Sequence, residues 1–165
     1  MDVLIRPLRD AADAAAFREL NLQWIARYFE IEDLDRRQLD DPVAAYIDKG
    51  GEILIAESDG EPIGCVALAP DGTGAYELSK MAVLPRLRGR GAGRKLLMAA
   101  IEHAQQMGAQ SLFLGSSYKR PDAVHLYEAL GFQHVPPATL HMPYARAEVF
   151  MQLVLTPSNR ASATG

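Results

Sequence analysis

The most informative segment joins an apolar strand to an apolar-striped helix and reads Val83-Leu84-Pro85-Arg86-Leu87-Arg88-Gly89-Arg90-Gly91-Ala92-Gly93-Arg94. Its glycines leave several backbone N–H groups bare at the start of a helix, where the helix dipole favours negative charge. Arginines at positions 88, 90 and 94 add fixed positive charge around the same point. We therefore expect a ligand that carries phosphate to bind here. A tight turn whose glycines only let strand and helix pack closely is the simpler alternative.

The spacing of these glycines excludes two common phosphate-binding motifs. A P-loop requires Gly-Lys-Ser/Thr after its four intervening residues, and that tripeptide is missing from the segment. A dinucleotide-binding Gly-x-Gly-x-x-Gly motif that starts at Gly89 would need a glycine where the chain has Arg94. What remains is Arg88-x-x-Gly91-x-Gly93, which resembles the Gln/Arg-x-x-Gly-x-Gly/Ala pyrophosphate-binding pattern of the GNAT superfamily of acyl-CoA-dependent N-acetyltransferases.

A second motif lies further along the chain and runs Asp122-Ala123-Val124-His125-Leu126-Tyr127-Glu128-Ala129-Leu130-Gly131-Phe132. Its apolar residues recur at helical spacing, Gly131 suits the left-handed position that ends a helix, and Phe132 opens a strand. The segment resembles Ala-x-x-Leu-Tyr-x-x-x-Gly-Phe of the same superfamily, in which the helix tyrosine lies near the thioester sulfur. The resemblance implies that place for Tyr127, whose alternative role is that of an ordinary core tyrosine.

Length and composition indicate one globular domain with a sizeable core. The 165 residues are 48% hydrophobic and 23% charged, and the net charge of −4 argues against general nucleic-acid binding. No apolar run reaches the length of a membrane span, and the only cysteine, Cys65, cannot form an internal disulfide. From the residues Met1-Asp2-Val3 we expect no signal peptide. We expect a cytoplasmic domain over residues 1–156, a disordered tail over 157–165, and neither a membrane nor a nucleic-acid partner.

The predicted strands and helices alternate as they do in α/β domains. Strands are predicted at residues 3–5, 53–56, 63–68, 75–83, 111–114 and 148–155, with a further short strand opened by Phe132. Helices are predicted after Asp10, after Asp41-Pro42 beyond a break at 30–35, from Gly91 to Gly108, and around Tyr127. The GNAT resemblance covers residues 5–155 and implies an acyl-CoA N-acyltransferase fold, a mixed central sheet of about seven strands flanked by about four helices.

The same resemblance implies how acetyl-CoA would be held. In that fold the strand that ends at Val83 and the strand that starts at Ser111 splay apart and admit the pantetheine arm. Backbone groups on the first of these strands would pair with pantetheine and place an N–H near the thioester oxygen. The cofactor-binding residues implied are Met81, Ala82, Val83, Arg88, Gly89, Arg90, Gly91, Ala92, Gly93, Arg94 and Tyr127.

Two side chains are candidates for proton transfer by resemblance. Glu77 is the candidate base, and strand alternation predicts that it shares a face with Ser79, Met81 and Val83. A glutamate of ordinary pKa is a weak base for an ammonium ion, so burial or a relaying water is needed; a solvated or structurally paired carboxylate is the alternative. Tyr127 is the candidate acid for the departing thiolate. We expect direct attack without a covalent enzyme intermediate.

The acceptor is the least determined part of the prediction. The candidate substrate-binding residues are Tyr28, Phe29, Tyr144 and Arg146, of which Arg146 is suited to a carboxylate. The histidines lack ligand spacing, so no metal is expected. Dimers are frequent for this fold, but no residue specifies an interface, and the sequence leaves undecided whether the protein forms a homodimer. A small-molecule amine is the leading acceptor; a non-catalytic acyl-CoA sensor and a protein or peptide acetyltransferase are the alternatives.

Overall fold

The computed structural model describes residues 2–87, 89–137 and 147–156, which contain one sheet with helices on both faces. The strands are β1 (Leu4–Pro7), β2 (Glu52–Ser58), β3 (Glu61–Pro70), β4 (Ala75–Val83), β5 (Ser111–Ser116), β6 (Gln133–His134) and β7 (Val149–Val154). The α-helices of this part of the chain are α1 (Ala11–Tyr28), α2 (Asp33–Asp40), α3 (Ala92–Gln106) and α4 (Pro121–Ala129). The predicted α/β fold class is confirmed. The tail predicted from residue 157 lies outside the described residues.

The order of strands in the sheet is β1-β2-β3-β4-β5-β7-β6. All neighbours are antiparallel except β4 and β5, which run parallel. These two strands pair only where Ala75–Glu77 faces 111–113, although both continue beyond that point. The sheet therefore opens between β4 and β5, as the resemblance predicted.

Each face of the sheet has its own apolar core. One core packs α3 and α4 against the sheet through side chains such as Leu96, Leu97 and Val124. The other packs α1, α2 and a π-helical turn (Val43–Ile47) against the opposite face and includes Phe17, whose ring meets that of Tyr46 edge-on at 5.9 Å. Within the described ranges, no helix is both long enough and apolar enough to cross a membrane.

Helix and turn signals in the sequence account for much of this architecture. Asp10 caps α1 by accepting from the N–H of Asp13, as predicted. The β2–β3 turn has both Asp59 and Gly60 at positive φ, which suits a two-residue hairpin.

The second helix begins earlier than predicted. The segment expected to be a break carries a capping box, in which the N–H of Glu32 donates to Asp35 and starts α2. Asp41 instead accepts from the N–H of Ala44 at 3.2 Å and begins the π-helical turn.

Candidate active site

A continuous cleft follows the opening between β4 and β5. At one end it is lined by the glycine loop and the C-terminal part of β4, a region that we call the glycine end: Met81, Ala82, Val83, Gly89, Gly91, Gly93 and Arg94. At the other, called the Glu77 end, it is lined by residues that include Trp24, Phe29, Glu77, Ser79, Lys80, Ser116 and Tyr127. The two ends share Met81, Arg120 and Ala123, so they form one path from the helix start to the buried carboxylate.

The glycine end has the features of an anion site. Gly91 is the N-cap of α3 with a left-handed backbone (φ 83°), and no side chain caps the N–H groups of the first turn. A Cβ added at Gly89 or Gly91 would meet nothing within 4 Å, so the loop borders open space. The first turn of α3 contains no acidic residue, and Arg94 lies on the cleft wall. Bare N–H groups, the helix dipole and a cation together fit a phosphate-bearing ligand.

Two predicted members of this loop do not line the cleft. The Ala92 side chain is 1% exposed and packs into the α3 core, and Ala92 is absent from the lining of the glycine end. Arg90 is exposed and is not part of the lining. Arg88, the first residue of the motif, lies outside the described residues. Among the described arginines of the motif, Arg94 is the one on the cleft wall.

A β-bulge interrupts β4 inside the cleft. In the β3–β4 register, Cys65 pairs with Ala82 and Ala67 pairs with Ser79, so β4 carries one extra residue. The extra length falls at Lys80, which adopts a left-handed backbone with φ 56°. For a residue with a Cβ this conformation costs roughly 1–2 kcal/mol, so contacts of Lys80 must offset it.

The bulge overturns one prediction about β4. Residues 77, 79, 81 and 83 were expected on one face, but the extra residue reverses the alternation. Before the bulge, Glu77 and Ser79 lie close enough to Tyr46 of the α1–α2 face to act on its pKa. After it, Met81 and Val83 pack against the core of the α3–α4 face. The side chain of the candidate base Glu77 therefore lies on the face of β4 opposite to the side chains of Met81 and Val83.

Lys80 forms a buried ion pair with α2. Its Nζ lies 2.8 Å from Oδ1 of Asp35, and the two side chains are 2% and 0% exposed. The second carboxylate oxygen of Asp35 accepts from the N–H of Glu32 at 2.9 Å. The pair therefore ties the bulge of β4 to the first turn of α2.

The structure brings both proton-transfer candidates to the Glu77 end. Burial raises the pKa of Glu77, and the positive charge of Lys80 opposes that shift. Burial also raises the pKa of Tyr127 on α4, against a smaller opposing effect of Arg120. The Tyr127 ring packs 5.7 Å from that of Phe132. A carboxylate that holds its proton more tightly is a stronger base when ionised, and a phenol of raised pKa stays protonated.

An aromatic wall at the Glu77 end was not predicted as a unit. Trp24 and Phe29 meet edge-on at 6.2 Å near the end of α1. Arg120 lies 4.6 Å over the Trp24 ring, and the Nζ of Lys119 lies 5.1 Å over the Phe29 ring. These cation–π contacts join α1 to the loop before α4. The contacts could not be predicted from the sequence, because the aromatic residues and the cations lie about 90 or more residues apart.

The loop that carries these cations is fixed by Glu148. Its Oε1 accepts from the hydroxyl of Ser117 at 2.8 Å and from the N–H of Tyr118 at 3.0 Å. Asp122 lines the glycine end at the start of α4. The loop and α4 thus present polar groups to both ends of the cleft.

The predicted acceptor residues are only partly at this site. Phe29 lines the cleft, whereas Tyr28 is absent from both linings and carries Arg27 over its ring. Tyr144 and Arg146 lie outside the described residues. In residues 2–87, 89–137 and 147–156, no three His, Cys, Asp or Glu side chains cluster as metal ligands.

Comparisons with known proteins agree with this architecture. The model of the acetyltransferase (GNAT) family matches residues 15–132. The chain is 35% identical over 100 residues to the uncharacterized N-acetyltransferase YjgM of Escherichia coli, covering 59% of this chain and 60% of that protein. It is 35% identical over 132 residues to the uncharacterized N-acetyltransferase YhfO of Bacillus subtilis, covering 74% and 85%. The structure of yncA, a putative acetyltransferase from Salmonella typhimurium with its cofactor acetyl-CoA, aligns with a TM-score of 0.72 at 26% identity, covering 95% and 96%.

Proposed function

Because the chain belongs to the GNAT family of acetyl-CoA-dependent acyltransferases, we propose that it transfers the acetyl group of acetyl-CoA to a primary amine of a small molecule. The observation that carries the proposal is the cleft itself. It joins an uncapped, glycine-rich helix start at one end to a buried carboxylate and a buried phenol at the other. Pyrophosphate and a transferred acyl group need those two environments at the two ends of one path.

The residues of the glycine end fit the cofactor. The N–H groups of the first turn of α3 would bind the pyrophosphate, with the positive charge of Arg94 beside it. Gly89 and Gly91 lack a Cβ in the space that the phosphates would fill. Met81, Ala82 and Val83 line the same end of the cleft, and their backbone would pair with the pantetheine arm. When bound, acetyl-CoA supplies an acetyl thioester activated for attack by an amine.

Two side chains divide the proton transfers. The carboxylate of Glu77 takes a proton from the acceptor ammonium, directly or through a water, and frees the nitrogen lone pair. That nitrogen forms a bond to the acetyl carbonyl carbon while the carbon–sulfur bond breaks. Tyr127 donates its phenolic proton to the departing sulfur. The nitrogen loses its second proton as the amide forms, and that proton, relayed through water, restores the Tyr127 phenol. The products are an N-acetyl amide and CoA thiol, and Glu77 releases its proton to solvent.

The shape of the Glu77 end supports a small acceptor. Trp24 and Phe29 wall it from the α1 side, and Arg120 and Lys119 reach over their rings from the α4 side. This bounded pocket has apolar walls and a few polar groups, as small-molecule sites usually do. A protein lysine or N-terminus would need a groove open to an extended chain.

The experiment is CoA release measured with a thiol reagent, using purified protein, acetyl-CoA and a panel of amino acids, polyamines, aminoglycosides and lysine peptides. The proposal expects release with at least one small amine and none above background with the peptides. Calorimetric titration with acetyl-CoA is run alongside. Tight binding without amine-dependent release would favour an acyl-CoA sensor, release with peptides alone would favour protein acetylation, and absence of binding would contradict the assignment of the glycine end.

A further inference from the structure

We propose that Asp35 and Lys80 are positioning residues for acetyl transfer. Their buried ion pair holds the left-handed bulge of β4, and the bulge aims the Met81 N–H at the thioester oxygen. The inference rests on the proposed function and adds a role for α2, since Asp35 lies outside the lining of the cleft. It goes beyond the backbone contact that the family resemblance implies by stating what keeps that backbone in place.

The direction of the Met81 N–H follows from the carbonyl on the other side of the same peptide bond. The Lys80 carbonyl accepts from the Sγ of Cys65 on β3 at 3.5 Å, and Cys65 itself accepts from Nδ2 of buried Asn21 at 3.3 Å. In a trans peptide the C=O and N–H groups point in opposite directions, and the described chain has no cis peptide. The Met81 N–H therefore points away from Cys65, toward the side on which β5 has diverged.

The position of Met81 in the cleft agrees with that direction. Met81 lines both the glycine end and the Glu77 end, so this residue lies where the pantetheine path would meet the acyl site. Neither Lys80 nor Met81 has a partner in the β3 register, because the register passes from Ser79 to Ala82. A backbone N–H that points into the opening at this point is suited to polarise a carbonyl oxygen.

The ion pair explains why a lysine tolerates the left-handed conformation. The Lys80 side chain reaches Asp35 from the bulge, and both charges are shielded from water. Relaxing the Lys80 backbone toward an ordinary strand would turn its side chain to the other face and break the 2.8 Å contact between two buried charges, which is unfavourable. Asp35 cannot follow, because its other oxygen accepts from the N–H of Glu32 at the start of α2. The ion pair with Asp35 of α2 thus holds the bulge of β4 in its left-handed conformation.

The first test compares Asp35→Asn with Asp13→Asn. Asparagine keeps the shape of Asp35 and an oxygen for the Glu32 N–H but removes the charge. Asp13, itself buried, pairs with half-buried Arg6 at 2.6 Å and is not part of the cleft lining. We expect both variants to lose stability, but only Asp35→Asn to lose kcat, by about 10- to 100-fold, with acetyl-CoA affinity within about threefold of the parent.

Infrared spectroscopy of bound acetyl-CoA labelled with carbon-13 at the carbonyl gives a readout independent of turnover. In the parent protein the carbonyl stretch should be lowered relative to solution because an N–H polarises it. In Asp35→Asn it should return toward the solution value, and in Asp13→Asn it should stay lowered. An unchanged stretch and kcat in Asp35→Asn, or equal losses in Asp13→Asn, would overturn the proposal.

A matched pair of double variants tests the bulge without the charges of Asp35 and Lys80. Asp35→Asn combined with Lys80→Gly, and Asp35→Asn combined with Lys80→Ala, both lack the pair; they differ in their tolerance of positive φ. The glycine variant should exceed the alanine variant in kcat by about tenfold and keep more of the carbonyl shift. Equal kcat values and equal carbonyl shifts in the two double variants would refute the bulge as the connection between the ion pair and acetyl transfer. Absence of acetyl-CoA binding by the parent overturns both proposals, whereas binding with a lowered stretch but no amine turnover overturns the proposed function alone.

Discussion

Replacing Glu77 by glutamine should make the protein more stable and less active. Burial raises the pKa of Glu77, so the folded protein holds this proton more tightly than the unfolded chain does. Between the unfolded pKa, near 4.3, and the folded one, the native state binds more protons, and stability falls as pH rises. Each pK unit of the shift costs about 1.4 kcal/mol above the folded pKa. Glutamine carries no charge, so Glu77→Gln should gain that free energy of unfolding at pH 8 and lose the gain near pH 4.

In contrast to the stability, the kcat/KM of Glu77→Gln should fall. At pH 7.4 an alkyl amine with a pKa of about 10.4 is free base in only about one molecule in a thousand. A base that deprotonates the bound ammonium therefore supplies up to about 10³-fold, and we expect Glu77→Gln to lose about 10²- to 10³-fold in kcat/KM. The deficit should shrink about tenfold per pH unit as the amine deprotonates in solution.

The assay pairs urea unfolding with initial rates of CoA release, both in the same buffers from pH 4 to 10 as far as the fold permits. Glu61→Gln is the matched control, because Glu61 is an exposed strand glutamate whose partner Arg86 is also exposed. It should change neither property. A Glu77→Gln protein that unfolds at lower urea than the parent at pH 8 would mean that the carboxylate is stabilised as an ion. A pH–rate profile parallel to that of the parent would assign the base to another group.

Three further predictions concern the acid, the loop and the cysteine. Tyr127→Phe should lower kcat by about 100-fold or more with acetyl-CoA affinity unchanged by calorimetry, whereas Tyr118→Phe, at a residue 69% exposed, should match the parent. Gly91→Val places a Cβ at φ 83° and should cost about 1–2 kcal/mol and weaken acetyl-CoA binding; Gly72→Val, at φ 89° in a loop away from the cleft, should carry the same strain and bind normally. Burial raises the pKa of the Cys65 thiol to about 12, so a thiol reagent should label native protein negligibly and one thiol per chain after denaturation.

Local signals were enough to predict most of the elements. The bounds of β4, residues 75–83, agree with the structure because a loop rich in glycine precedes the strand and the motif follows it. The Asp10 cap and the Asp59-Gly60 turn also act within a few residues, so their outcome depends little on the rest of the fold. The start of α2 was predicted wrongly as a break. The capping box of Glu32 and Asp35 was present in the sequence, but no apolar stripe followed it to indicate a helix.

The inside of the cleft could not be predicted in the same way. Nothing in Leu78-Ser79-Lys80-Met81 marks a positive φ, because the bulge is imposed by the register with β3 and by Asp35, 45 residues away. A strict alternation therefore assigned Glu77 and Met81 to one face. The contact of Arg120 with Trp24 likewise joins distant segments. Such pairings follow from the assembled sheet and helices, which a pattern of single residues does not encode.

The short pairing between β4 and β5 leaves the two parts of the sheet weakly connected. Three register pairs join a plate of β1–β4 to a plate of β5, β7 and β6, and beyond Glu77 no ladder hydrogen bonds with β5 restrain the end of β4. A pantetheine arm bound along Met81–Val83 would fill the opening between the two strands. Its amides would also link the two parts of the sheet by hydrogen bonds. Ligand at a hundredfold excess over its Kd adds about 2.7 kcal/mol to the free energy of unfolding. Amide hydrogen exchange should slow most on the facing edges of the two plates, so that the cofactor also serves as a structural part of the folded enzyme.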